Sequence, residues 1–314
     1  MTKKYVFSVQ SLSQPLRLDA FLSQQREFSS RSQVQNLIKK HQVIVNGQCA
    51  KASLLVKNDD EISVDLSEEF SVIIKPEDIP LDIVWEDDDI LIVNKPKNMI
   101  THPTIKETTG TLVNALLNKY GYDGLSNING VMRPGIVHRL DRNTSGILMI
   151  AKNNHSHEFL SEQIKTKSAI RKYLAVVQGN FDSEFGTIDA PILRHPSKPE
   201  KMAVVEGGKP SVTHYKVLEQ FKGYSFLELQ LETGRTHQIR VHMNYIAHPI
   251  VNDSLYCKSQ FKVKTIEQVL QSYSLKFATL KSGDIIELEI PQDDDIQRVL
   301  KYLRSNLKWK IELY

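Results

Sequence analysis

The sequence predicts an α+β protein: a large, mainly antiparallel mixed sheet with peripheral helices, preceded by a small α/β domain. Three observations predict it. Beyond residue 81, short apolar runs are joined mostly by turn-forming residues, with neither a series of βαβ repeats nor a G-x-G-x-x-G. Before residue 65, two helical patterns and an Asn-Gly turn are compressed into one block. Between them, residues 66–80 hold Glu68-Glu69, Pro76 and Pro80, the composition of a linker. The expected division is therefore 1–65, a linker at 66–80, and 81–314.

In the first block Leu18, Phe21 and Leu22 fall at helical spacing, with Asp19 in the first turn. Ser29-Ser30-Arg31-Ser32 supplies N-cap residues for a second helix that carries Val34, Leu37 and Ile38 on one face. Val43-Ile44-Val45 enters the Asn46-Gly47 turn, and Glu61-Ile62-Ser63-Val64 is a last strand. In the larger block Ile90–Asn94 is a buried strand stopped by Lys95-Pro96. Helices are expected from Leu112 and over His155–Thr166. Strands follow at Tyr173–Gln178, Val212–Leu218, Ser225–Leu231 and His237–His242, with Gly207-Gly208 as a hairpin turn.

Charge is unevenly spread along the chain, although the net value is only +3. Residues 1–57 carry nine Lys/Arg against two Asp/Glu, and residues 58–90 carry one against thirteen. Residues 91–314 are basic again, thirty against twenty-two, so two polyanion-binding surfaces flank an acidic stretch. Arg31, Lys39, Lys40 and Lys51 gather on or beside the second helix and the hairpin. No apolar run approaches a membrane span, and the first residues lack a signal peptide's apolar stretch, so a cytoplasmic protein is expected. Cys49 and Cys257 have no zinc-like spacing and suit reduced thiols.

The most informative segment is His138-Arg139-Leu140-Asp141-Arg142-Asn143-Thr144-Ser145-Gly146. Apolar flanks, Gly135-Ile136-Val137 and Ile147–Ala151, read as buried strands, which makes the polar stretch a loop at a sheet edge. Two guanidiniums beside a carboxylate suit a charged, oriented aspartate and offer donors for phosphate. An isolated Arg–Asp pair is more often a structural loop cap. Here the string is longer, and it does not stand alone.

It resembles the signature loop of the RluA family of RNA pseudouridine synthases, H-R-L-D followed by Thr-Ser-Gly or Thr-Thr-Gly. Further segments resemble that family in order: Asn94-Lys95-Pro96, Thr101-His102-Pro103, Gly110–Leu117, Arg171-Lys172-Tyr173 and Thr233–His242. The block at 1–65 is similar to the small S-four RNA-binding domain. The resemblance implies the pseudouridine synthase fold and isomerisation of uridine in RNA, most of all large-subunit ribosomal RNA, on a nucleotide flipped out of its stack. It implies Asp141 as the essential aspartate, Tyr173 as the aromatic platform and Arg235 as the aspartate's basic partner, with Arg240 the less favoured candidate. Arg139 and Arg142 would hold the extruded nucleotide, and Arg31, Lys39 and Lys40 would bind RNA.

Isomerisation consumes nothing, so no cofactor is expected. His237 and His242, five apart in an expected strand, should face opposite sides, which argues against a metal. A monomer is expected. The rival readings are the same chemistry on another RNA, and a non-catalytic RNA-binding or ribosome-assembly protein.

Overall fold

A computed structural model describes residues 4–28, 30–39, 41–65, 74–104, 107–130 and 132–307. The chain divides into two compact units, residues 1–71 and 72–314. The small unit runs β1 (Lys4–Ser8), β2 (Leu16–Arg17), α1 (Leu18–Ser23), α2 (Arg31–Lys39), β3 (Val43–Val45), β4 (Gln48–Cys49), β5 (Leu55–Val56) and β6 (Glu61–Asp65). Its sheet has the order β1-β6-β3-β4. The β3–β4 turn takes positive φ at both Asn46 and Gly47, the conformation that an Asn-Gly pair adopts at least cost. Leu18, Leu22, Val34 and Ile38 face Ile62 and Val64 in one buried cluster.

The large unit begins with β7 (Ile83–Glu86), β8 (Ile90–Lys95), α3 (Leu112–Tyr120), β9 (Ser145–Ala151), α4 (Asn154–Lys165) and β10 (Ile170–Gln178). It continues with β11 (Phe185–Asp189), β12 (Ile192–Arg194), β13 (Met202–Val204), β14 (Val212–Phe221) and β15 (Tyr224–Leu231). It ends with α5 (Gln238–Tyr245), β16 (Leu270–Ala278), β17 (Ile285–Glu289) and α6 (Asp294–Asn306). One sheet of nine strands has the order β11-β14-β15-β10-β16-β9-β8-β7, with β17 also on β16. Within this sheet β16 and β9 pair in parallel and the other pairs are antiparallel, so the expected mixed, mainly antiparallel sheet is what forms. Helix α3 starts on a capping box between Thr111 and Asn114, and α4 on one between Asn153 and Ser156.

The parallel contact depends on Gly146. Its φ is +116°, and a Cβ there would lie 2.0 Å from the Ser272 carbonyl oxygen. Both the backbone conformation and the distance exclude a side chain. Gly146→Ala should therefore cost about 4 kcal/mol or more. Urea unfolding checks this, and a parent-like midpoint would overturn it.

Three local expectations are corrected. Gly135–Val137 is not a strand: Gly135 has φ +72°, and Ile136 contributes one isolated bridge, to Ile150. The loop that follows enters β9 between β16 and β8, inside the sheet rather than at its edge. Residues 237–242 form the start of α5 rather than a strand, with His237 as its left-handed N-cap. Gln238 through Met243 are all buried, so the alternation of Ile239, Val241 and Met243 does not mark one buried face. Each polar residue between them has buried partners instead.

Of the expected linker, residues 66–73 lie outside the described residues. Residues 74–80 pack on the large unit, with Ile74 in its core and Asn114 donating to the Lys75 carbonyl (2.8 Å).

Candidate active site

Asp141 is held from both sides through the main chain. The Thr101 hydroxyl donates to the Leu140 carbonyl (3.0 Å), and Lys95 Nζ donates to that of Arg142 (3.2 Å). Lys95 is fully buried at the end of β8 and also donates to the carbonyls of Pro96 (2.7 Å) and Met99 (2.9 Å). Three acceptors match the three protons of an ammonium group. Burial pulls its pKa down to about 7, with the charge of Asp141 opposing. The motifs around Lys95 and Thr101 thus act on the loop that carries the aspartate.

The carboxylate itself is paired with Arg240. Arg240 Nη1 donates to Asp141 Oδ2 at 3.0 Å, while Nε and Nη2 grip the two oxygens of Asp253 at 2.6 and 2.8 Å. Asp253 has no exposed surface and also accepts from the backbone of Leu255 and Tyr256. Burial works against the charge on Arg240, but Asp253 and then Asp141 raise its pKa above the ordinary arginine value. The fork-to-fork contact with Asp253 fixes the guanidinium plane, so the remaining nitrogen is aimed at Asp141. His237 Nε2 stands 3.9 Å from the same carboxylate oxygen, and its Nδ1 meets the Tyr256 hydroxyl at 3.0 Å.

Arg235 therefore does not fill the place expected of it. Its side chain is exposed, and Nε donates to the Pro210 carbonyl (3.2 Å). The helical course of α5 explains the exchange, because it turns Arg240 inward toward Asp253.

Two hollows meet at Asp141. One, of about 360 Å³, is lined by Tyr173, Arg171, His102, His138 and Arg235. The other, of about 320 Å³, lies toward Thr104, Arg142, Asn143 and Leu255. Arg139, Asp141, His237 and Arg240 border both. Tyr173, on β10, is buried, and burial pushes its phenol above the usual value while the charge of Arg171 opposes. The first hollow thus joins a carboxylate, an aromatic ring and cationic donors within a partly dry site, which suits a nucleoside.

The other expected binding residues are scattered. Arg139 is exposed at the rim of both hollows. Arg142 is paired with Glu107 and borders the second hollow. In the small unit, Arg31 is exposed but forms an ion pair with Asp19 at 3.0 Å, and Lys39 is exposed on the last turn of α2. Asp19, fully buried, is held below the usual carboxylate range by Arg17, Gln35 and Arg31 despite its burial. Lys40 lies outside the described residues. Among the described residues no group of three or more His, Cys, Asp or Glu converges as metal ligands, and no helix is long and apolar enough to cross a membrane.

Sequence reading missed Lys95, Asp253 and the primary role of Arg240. A lysine closing the apolar run Ile90–Val93 was the signal available for the first. Asp253 gave none.

The family profile described as RNA pseudouridylate synthase matches residues 89–245, and that of the S4 domain matches residues 16–62. The uncharacterized RNA pseudouridine synthase YlyB of Bacillus subtilis (strain 168) is 45% identical, over 92% of this chain and 95% of its own. Ribosomal large subunit pseudouridine synthase D of Escherichia coli (strain K12) is 38% identical, over 93% of this chain and 92% of its own. Among solved structures, human RNA Pseudouridylate Synthase Domain Containing 1 superposes with a TM-score of 0.55 at 25% identity, covering 76% of this chain and 98% of that one. The chain belongs to the RNA pseudouridylate synthase family, isomerases that form pseudouridine from uridine in RNA, and it carries an S4 domain at its amino terminus.

Proposed function

We propose that the chain isomerises specific uridines of large-subunit ribosomal RNA, with Asp141 acting on a nucleotide flipped into the Tyr173 hollow. The observation that carries this reading is the placement of Asp141, aimed by Arg240 at the wall where both hollows meet. The bond from ribose C1′ to N1 of uracil breaks, the base turns, and a bond from C1′ to C5 forms while the hydrogen on C5 leaves as a proton and N1 takes one up. Atoms balance without a co-reactant. Tyr173 supplies a face for the free base, and Arg139 borders both hollows where the flanking phosphates enter.

The ribosomal target rests on similarity to relatives such as ribosomal large subunit pseudouridine synthase D of Escherichia coli. Arg31 and Lys39 of the S4 unit, with the undescribed Lys40, would add RNA affinity distinct from the chemistry.

The test is a pseudouridine map of ribosomal and transfer RNA from cells with and without the gene. Sites lost from large-subunit RNA and restored by the parent gene are expected. An unchanged ribosomal map with sites lost from transfer RNA would move the same chemistry to that target.

A further inference from the structure

Three buried polar atoms that have no hydrogen-bond partner among the described residues belong to side chains lining the Tyr173 hollow. They are Arg171 Nε, His102 Nδ1 and His138 Nδ1. The two histidines are neutral near pH 7, because burial pushes them down to about 4 and about 3. Nε2 of His138 accepts from the Met149 backbone (3.0 Å), which leaves its ring proton on Nδ1.

Arg171 is 4% exposed, and among the described residues its side chain makes neither an ion pair nor a hydrogen bond. The carboxylate that lines this hollow, Asp141, is already held by Arg240. Arg171 and Tyr173 are two apart on β10, so both side chains leave the same face of the strand. Gly234 keeps space for the guanidinium: a Cβ there would stand 3.1 Å from Arg171 Nη1. A buried cation without a counter-charge is costly in the free protein. Its place beside the aromatic platform points to a substrate that brings the missing acceptor.

We propose that Arg171 donates to a carbonyl oxygen of the uracil stacked on Tyr173 and holds the negative charge of the base once it is detached. The inference rests on the function proposed above and goes beyond it. When the N1–C1′ bond breaks, its electron pair stays on uracil, spread over N1, O2 and O4. This is so whether Asp141 attacks C1′ or removes a ribose proton. When C5 then bonds to C1′, the C5 hydrogen leaves as a proton and N1 takes one up. A phosphate is the weaker candidate for Arg171, since the exposed arginines at the rim, Arg139 and Arg235, meet the backbone first. A fixed charge waiting in a water-poor site stabilises developing charge without reorganisation.

The test uses the full chain and a transcript of large-subunit ribosomal RNA carrying tritium on uridine C5. Tritium release is followed in a single turnover at saturating enzyme, beside RNA affinity and thermal unfolding. Arg171→Met should slow release about 10²–10³-fold with RNA affinity unchanged. Arg171→Lys should recover part of the rate, and the Met variant should melt at or above the parent temperature, since an unpaired buried charge is gone. Gly234→Ala, at an exposed position, should slow the same step by pressing on Nη1 while the charge stays.

A parent rate in Arg171→Met, or equal losses in Met and Lys that follow a lowered melting temperature, would overturn the proposal. Asp141→Asn serves as the reference. If it is inert while Arg171→Met is fully active, this inference alone fails; if it turns over normally, the reading of Asp141 fails first.

Discussion

Asp141→Asn should bring tritium release below detection, a loss of about 10⁴-fold or more, with RNA affinity and melting temperature close to those of the parent. Asparagine matches aspartate in size and keeps an oxygen for Arg240 Nη1, so the ties at Leu140 and Arg142 stay in place. What it lacks is the charge and nucleophilicity that either course of the reaction demands. The side chain is partly accessible between the two hollows, so the exchange strands no deeply buried group. Turnover within tenfold of the parent would remove Asp141 from the chemistry.

The second large effect separates the two arginines of the 235–240 segment. Arg240→Met leaves Asp253 fully buried with two backbone donors, and takes from Asp141 its arginine partner, leaving at 3.9 Å only the ring of His237, whose pKa burial lowers. Breaking a buried pair in this way costs about 3–5 kcal/mol, visible in urea unfolding, and single-turnover chemistry should fall with it. Arg235→Ala should leave the unfolding curve unchanged, since that side chain is exposed and its hydrogen bond goes to the Pro210 carbonyl. Any loss should appear in RNA affinity. The reverse pattern, chemistry lost with Arg235 and kept with Arg240, would restore the pairing that the resemblance implied.

Much of the fold was legible because local signals agreed with tertiary demand. Asn46-Gly47 needs two left-handed residues and has them; the helices expected from Leu112 and over His155–Thr166 form at Leu112–Tyr120 and Asn154–Lys165. Period-two patterns located β14 and β15, where one face is more buried than the other. The rule failed at α5, where Gln238–Met243 are buried all round and alternation carries no direction. It failed at Gly135–Val137 because one positive φ breaks the extended course. In the site, Asp141 and Tyr173 were legible from a resemblance and lie on one hollow. The pairing of Arg240 was not, because it depends on Asp253 in a loop with no pattern of its own. Arg31 was read as an RNA contact, and it also serves a buried aspartate, a partnership between adjoining helices that charge counting cannot show.

The parallel pairing of β9 with β16 has a consequence in time. Strand β9 finds β8 early, but its other edge waits for a strand made much later: Ser272 reaches Ile147 across 125 positions. Asp141 and Arg240 are themselves 99 positions apart. Such distant closures are slow, and they come last during synthesis. A nascent chain shorter than about residue 278 lacks part of β16, and β9 then keeps an open edge beside an unfinished loop. Competence to modify RNA should thus arrive abruptly, once β16 has left the ribosome that makes the enzyme.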